Sequence, residues 1–281
     1  MKPTYINQTE ISAFGRRLLE DERSAATIEK YTREARRFAA FLGGRAVTKS
    51  AVAEWKEAIT SSGCSPSTAN VRLTALSRFL DFIGRGDCSV KRLRLQRRVF
   101  RDDSRSLTRK DYEQLTATAE SLGRERLALL METICSTGIR VSEVRYITVE
   151  AASAGRAEIS LKGKIRTILL PGKLCRKLLK YAKKQKIASG EVFLSKSGKS
   201  LSRKQIWADM KSVCGPAGIS PSKVFPHNLR HLFALCFYKT CRDVVRLADV
   251  LGHSSIDTTR IYLISSGREH VRTLERLGLV S

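Results

Sequence analysis

Residues 91–110, KRLRLQRRVFRDDSRSLTRK, hold nine basic and two acidic residues, with no helical stripe of apolar residues before Thr108. A run so charged stays out of a core. It therefore divides the chain into a helical domain over 1–90, a basic linker over 91–105 and a second domain over 106–281. The 281 residues suffice for two ordinary domains, and 42% hydrophobic residues suffice for their cores.

The first 90 residues step in the helical period. Ile11, Phe14 and Leu18 mark one short helix. Ile28, Tyr31, Ala35, Phe38 and Leu42 mark another, started at Ser24 and stopped by Gly43-Gly44. Val52, Trp55 and Ile59 follow an opening at Thr48 or Ser50. Leu73, Leu76, Leu80 and Ile83 follow Ser65-Pro66-Ser67 and end at Gly84. The pattern predicts a bundle of four or five helices. Past the linker, Thr108 and Asp111 make a capping box with Asp in place of Glu. The second domain is mostly helical, with helices expected near 173–186, 203–214, 227–239, 242–251 and 255–264. Its one strand signal is EISLKGKIRTILLP, 158–171. There Ile159 and Leu161 alternate, Gly163 turns, and Ile165, Ile168 and Leu170 resume. The fold class is mainly α with a small β-hairpin.

Lys and Arg number 52 against 27 Asp and Glu, a formal net charge of +25. Such an excess points to a polyanion partner, nucleic acid above all. On that reading the linker lies against phosphates, with Lys91, Arg92, Arg94, Arg97, Arg98 and Arg101 as contacts; the alternative is a solvated connection. No apolar run approaches the ~20 residues of a bilayer span, and the N-terminus lacks the apolar stretch of a secretory signal. A soluble, cytoplasmic protein with no membrane partner is expected. The seven cysteines show no CxxC pair and no metal-ligand spacing, and read as ordinary thiols. No metal and no cofactor are expected.

All four histidines, His227, His231, His253 and His270, lie near the C-terminus. PHNLRHLFA sets His227 and Arg230 one helical turn apart, just after Pro226 at a helix start. A cation, an imidazole and a helix N-terminus suit a phosphate. Alone, such a pair is better explained by a surface helix. STGIRVSEV places Arg140 after a glycine and Glu143 three residues on, by itself an ordinary ion pair. LGHSSIDTTRIYL puts His253 nine residues before Tyr262, with Ser255 or Asp257 as the cap of a new helix between them.

Taken in order, TGIRVSE, a hairpin containing KG, HNLRH, LGH and a tyrosine nine residues later resemble the tyrosine recombinase, or phage integrase, family over about 106–266. The helical N-terminal region is similar to that family's core-binding, SAM-like domain. The resemblance implies an N-terminal helical bundle plus an α+β catalytic domain, closing as a C-shaped clamp around double-stranded DNA. It implies a site-specific recombinase that works as a homo-tetramer on two duplexes through a Holliday junction. Arg140 and Arg230 would grip the scissile phosphate. Lys162 would be the hairpin lysine, His227 the histidine of the HxxR motif, His253 the residue that is His or Trp in relatives, and Tyr262 the nucleophile. Glu143 takes the acidic position beside the first arginine. Relatives commonly read GKGxKxR, whereas LKGKIR lacks a residue between the glycine and the second lysine. Lys162 is preferred because it directly precedes the turn glycine, with Lys164 as the alternative.

These residue types suit phosphodiester cleavage. Negative charge builds on the non-bridging oxygens, and two guanidiniums give them paired hydrogen bonds while staying charged. Losing one such donor costs ~3 kcal/mol or more. A phenol of ordinary pKa, ~10, needs cations beside it and a base such as neutral His227 to attack. The attack would give a 3′-phosphotyrosine, with the hairpin lysine protonating the leaving 5′ oxygen. The covalent link would conserve the phosphodiester energy without ATP or a metal. The tail SSGREHVRTLERLGLVS carries Val271, Leu274, Leu277 and Leu279 near helical spacing. In relatives such a tail packs on a neighbouring protomer; docking on its own domain is the alternative. Two rival readings stand: a type IB topoisomerase-like enzyme relaxing one duplex as a monomer, and a non-catalytic DNA-binding protein. The bundle begins almost at once, leaving no room for an arm-type DNA-binding domain, which favours a simple Xer-like or inversion-type system. No accessory partner is legible.

Overall fold

The computed structural model of the chain describes residues 3–95, 103–161, 164–253, 255–260, 262 and 275–277, with the backbone alone for residues 103, 161 and 164. Packing divides the chain into two compact units, Met1–Arg97 and Arg98–Ser281.

The first unit is built from α1 (Gln8–Glu20), α2 (Ala25–Leu42), α3 (Lys49–Ser61) and α4 (Pro66–Phe82). Their starts are capped by side chains. Asn7 and Glu10 form a capping box at α1, and the hydroxyls of Thr48 and Ser65 accept the amides of Ala51 and Thr68. These bonds satisfy N–H groups that a helix leaves unpaired at its first turn. The residues in helical register are the core: Ile11, Phe14, Phe38, Leu42, Val52, Leu76, Phe79 and Leu80 are buried together.

The chain stays fastened to this bundle beyond α4. Lys49 Nζ donates to the carbonyls of Asp87 (3.1 Å) and Ser89 (2.7 Å), and Lys56 Nζ to that of Lys91 (2.9 Å). The Asn70 amide donates to the Leu93 carbonyl (2.9 Å), and its oxygen accepts the Leu93 N–H (2.7 Å). Leu93 packs against Ile59, Ala69 and Leu73. Lys91, Arg92 and Arg94 are exposed, while Arg97, Arg98 and Arg101 lie outside the described residues.

The second unit runs α5 (Arg109–Ser121), α6 (Glu125–Thr137), a 3-10 turn (Val141–Tyr146), α7 (Val149–Ala154), β1 (Arg156–Leu161), β2 (Lys164–Leu169), α8 (Gly172–Lys184), α9 (Arg203–Lys211), α10 (Pro226–Cys241), α11 (Val244–Leu251) and α12 (Ile256–Arg260). The Thr108–Asp111 capping box forms at α5. Leu115, Leu130, Met131, Ile134, Leu178, Phe193, Ile206 and Leu229 share one core. The fold is mainly α, with one two-stranded antiparallel sheet among the described residues.

Three expectations shift. The helix expected over 203–214 stops at Lys211. That expected over 227–239 continues to Cys241, where Arg242 turns left-handed (φ 54°), and α11 then starts under an Asp243 cap. In the hairpin, Ile165 does not share the face of Ile168. Ile168 and Ile159 are buried, whereas Ile165 is 78% exposed. Residues three apart on a strand point to opposite faces, so the inward place belongs to Arg166, opposite Ile159. Among the described residues no helix is long and apolar enough to cross a membrane.

Candidate active site

The site forms where α6, the 3-10 turn, β2, α10 and the α11–α12 turn meet. α6 ends at Gly138, in the left-handed region (φ 66°), and any Cβ there would collide with the Phe233 ring. This tight exit aims the next residues at the 3-10 turn, whose N-cap is Arg140. Glu143 holds it from both ends: Oε2 accepts the Arg140 amide (2.8 Å) and Oε1 accepts Arg140 Nη1 (2.9 Å). The carboxylate is buried, yet the Arg140 side chain remains 41% exposed and so open to a ligand.

Helix α10 starts at Pro226, whose missing N–H costs nothing at a first turn. One turn in, Arg230 is only 2% exposed. Each nitrogen of its guanidinium has a partner. Nη1 donates to the Gly138 carbonyl, Nη2 to the Leu251 carbonyl (2.9 Å) and His253 Nε2 (2.9 Å), and Nε to the Tyr262 hydroxyl (3.4 Å).

Helix α11 ends at Gly252 (φ 64°), where a Cβ would run into the Arg166 side chain. That close turn delivers His253. Arginine has no acceptor, so His253 Nε2 must accept from Arg230, and the ring's proton sits on Nδ1, facing Thr259 Oγ1 at 2.8 Å. Burial, and then Arg230, Arg140, Arg166 and His227 around it, push the His253 pKa down to about 4. Burial, Arg230 and Arg140 likewise lower that of His227. Both imidazoles are neutral at pH 7.

Tyr262 follows α12 rather than lying within it. Its ring is buried among three imidazoles, with centroids at 5.5 Å from His227, 5.5 Å from His231 and 5.7 Å from His253, the last stacked at 11°. Five of the expected site residues, Arg140, His227, Arg230, His253 and Tyr262, are thus gathered with Glu143 in one cluster. The expected Lys162 lies outside the described residues, and Lys164, the alternative, is placed by its backbone at the turn end of β2, paired with Leu161.

The sequence reading passed over Arg166. Its Nη2 donates to Glu143 Oε2 at 2.5 Å and its Nη1 to the Leu251 carbonyl. The signal was present: Arg166, Ile168 and Leu170 alternate as one strand face. Two guanidiniums thus hold one buried carboxylate, and a third with two neutral imidazoles completes a cationic cluster suited to an anion with several oxygens.

The phage integrase family matches residues 105–268, and the family's N-terminal SAM-like domain matches residues 11–85. The tyrosine recombinase XerC of Roseiflexus castenholzii is 30% identical over 279 residues, spanning 90% of this chain and 88% of its own length. The solved XerH site-specific recombinase bound to its difH substrate, a pre-cleavage complex, shares the fold at a TM-score of 0.69 and 18% identity, over 96% of this chain and 89% of that one. A lambda integrase tetramer bound to a Holliday junction shares it at a TM-score of 0.70 and 19% identity, over 88% of this chain and 77% of that one. With the family matched over more than half its length, and that match falling on the segments that build this cluster, the chain belongs to the phage integrase family, the tyrosine recombinases.

Proposed function

We propose that the chain is a cytoplasmic, site-specific DNA recombinase that cleaves and rejoins strands through a 3′-phosphotyrosyl link at Tyr262. The carrying observation is the convergence of His227, Arg230 and His253 on the Tyr262 ring and hydroxyl, with the Arg140 guanidinium beside them, bonded to the Gly252 carbonyl next to His253. The scissile phosphate enters between the open face of Arg140 and Arg230. To receive it, Arg230 releases part of its present set of acceptors, among which the His253 ring can turn donor by moving its proton. A proton on Nε2 instead of Nδ1 points a second donor at a non-bridging oxygen. Neutral His227 takes the phenol proton as Tyr262 attacks phosphorus. The two guanidiniums hold the charge that grows on the non-bridging oxygens. Lys162, with Lys164 as the alternative, protonates the departing 5′ oxygen, which leaves as a hydroxyl. The phosphodiester energy is kept in the phosphotyrosine, and a 5′ hydroxyl from the partner strand reverses the step.

The N-terminal bundle serves as the second DNA-binding domain. Lys91, Arg92, Arg94, Arg97, Arg98 and Arg101 contact phosphates, and four copies act on two duplexes through a Holliday junction. The test uses a nicked suicide duplex carrying the recombination site, run on a denaturing gel. The wild type is expected to leave a covalent protein–DNA band, and Tyr262→Phe to bind the duplex with unchanged affinity but leave none. A persistent adduct in that variant removes Tyr262 from the role. Supercoil relaxation without recombinant product would favour the topoisomerase-like reading.

A further inference from the structure

We propose that Arg166 is a positioning residue that clips the loop bearing Arg140 to the turn bearing His253, and so sets the spacing of the donors around the phosphate. The inference rests on the cleavage chemistry proposed above for this site. Three segments far apart in sequence must agree in position: the 3-10 turn with Arg140 and Glu143, the strand β2, and the end of α11 with Leu251, Gly252 and His253. Arg166 ties all three, alongside a direct 3.4 Å bond from Arg140 Nη2 to the Gly252 carbonyl. Its Nη2 shares Glu143 Oε2 with the Arg140 amide, and its Nη1 shares the Leu251 carbonyl with Arg230 Nη2. One side chain therefore bonds a partner of each phosphate-gripping arginine.

The local structure is shaped around this contact. Gly252 leaves room for the Arg166 stem that a Cβ would fill. Among the described residues, the buried Arg166 Nε finds no acceptor. Such an orphan donor is costly, and the side chain bears it while directing both Nη groups at the two loops. The Arg166 side chain is 16% exposed, less than half the exposure of Arg140, and its partners are protein groups. It acts through Arg140 and His253 rather than on the phosphate. A lysine ammonium has the charge but not the planar fork that reaches two acceptors in different directions.

The test compares wild type, Arg166→Lys, Glu143→Gln and the double variant in three measurements. These are duplex affinity by fluorescence anisotropy, the first-order rate of adduct formation on the nicked duplex at saturating protein, and thermal melting. A donor misplaced by about 1 Å costs ~100-fold in rate. Arg166→Lys is therefore expected to bind DNA within about 3-fold of wild type, stay folded at the assay temperature, and form adduct ~30- to 100-fold more slowly. Glu143→Gln is expected to slow the same step. The double variant should be no slower than the worse single one, because the two act as a unit. Wild-type cleavage by Arg166→Lys, an affinity loss equal to the rate loss, or multiplicative singles would each overturn the clip alone. Absence of any adduct with wild-type protein would instead overturn the cleavage reading, and the clip with it.

Discussion

At the residue scale, His253 ties the chemistry to a measurable pH dependence. An imidazole in the unfolded chain titrates near its ordinary 6.5, whereas His253 in the fold is held at about 4 by burial and the guanidiniums beside it. Between those values the unfolded chain takes up a proton that the folded chain refuses. Stability therefore falls as pH drops through that window, the full contribution being present above 6.5 and lost below 4. His253→Gln lacks this term and keeps His227, which titrates in both proteins. The wild-type melting temperature is therefore expected to approach that of the variant as pH goes from 7 to 5. A gap that stays constant would mean that His253 is not held neutral by its surroundings. The residues of this site were legible in sequence to different depths. Arg140, His227, Arg230, His253 and Tyr262 each sit in a short motif with its own spacing. Arg166 closes the hairpin motif but was given no role there, and listing Ile165, Ile168 and Leu170 as the resumed apolar run left its inward slot unmarked. Gly138 and Gly252 could be read as helix ends, but not as the places where Phe233 and Arg166 approach too closely for a Cβ.

At the scale of elements, helices were read well because burial repeats with the helical period, as Phe38, Leu42, Leu76 and Leu80 do. Ends were read less well, because Arg242 adopts a left-handed turn with no glycine to announce it. The segment after α4 shows a deeper limit. Its charge marks it as surface chain, but the bonds that fasten it come from Lys49, Lys56 and Asn70, 23 to 40 positions earlier. Polar contacts at that range leave no periodic trace. Asn70 is the pin, since its amide satisfies both backbone groups of Leu93. Asn70→Ala is expected to cost about 1–3 kcal/mol, the penalty for part-buried groups left unpaired. It should also speed hydrogen exchange over residues 89–95 while leaving α2 protected. Unchanged exchange in that stretch would show that Leu93 packing alone holds the chain.

At the scale of the whole molecule, the net charge of +25 selects a class of partner but not a sequence. It does set how binding responds to salt. Each phosphate neutralised by a lysine or arginine releases about 0.9 counterion from duplex DNA, and the slope of log affinity against log salt counts them. Lys91, Arg92 and Arg94 are exposed on a stretch whose backbone is pinned as far as Leu93, so their side chains face solvent with little of the chain left to order on binding. If all three meet phosphates, replacing them together by Gln lowers the slope by about 2.7, close to three counterions. The replacement should weaken binding to site-bearing and random duplexes by the same factor, because phosphate contacts carry no base preference. Fluorescence anisotropy titrations from 50 to 300 mM KCl on both duplexes measure slope and preference together. A slope that does not change means these side chains point into water while the affinity comes from elsewhere on the basic surface. A drop confined to the site-bearing duplex means that at least one of them reads a base edge.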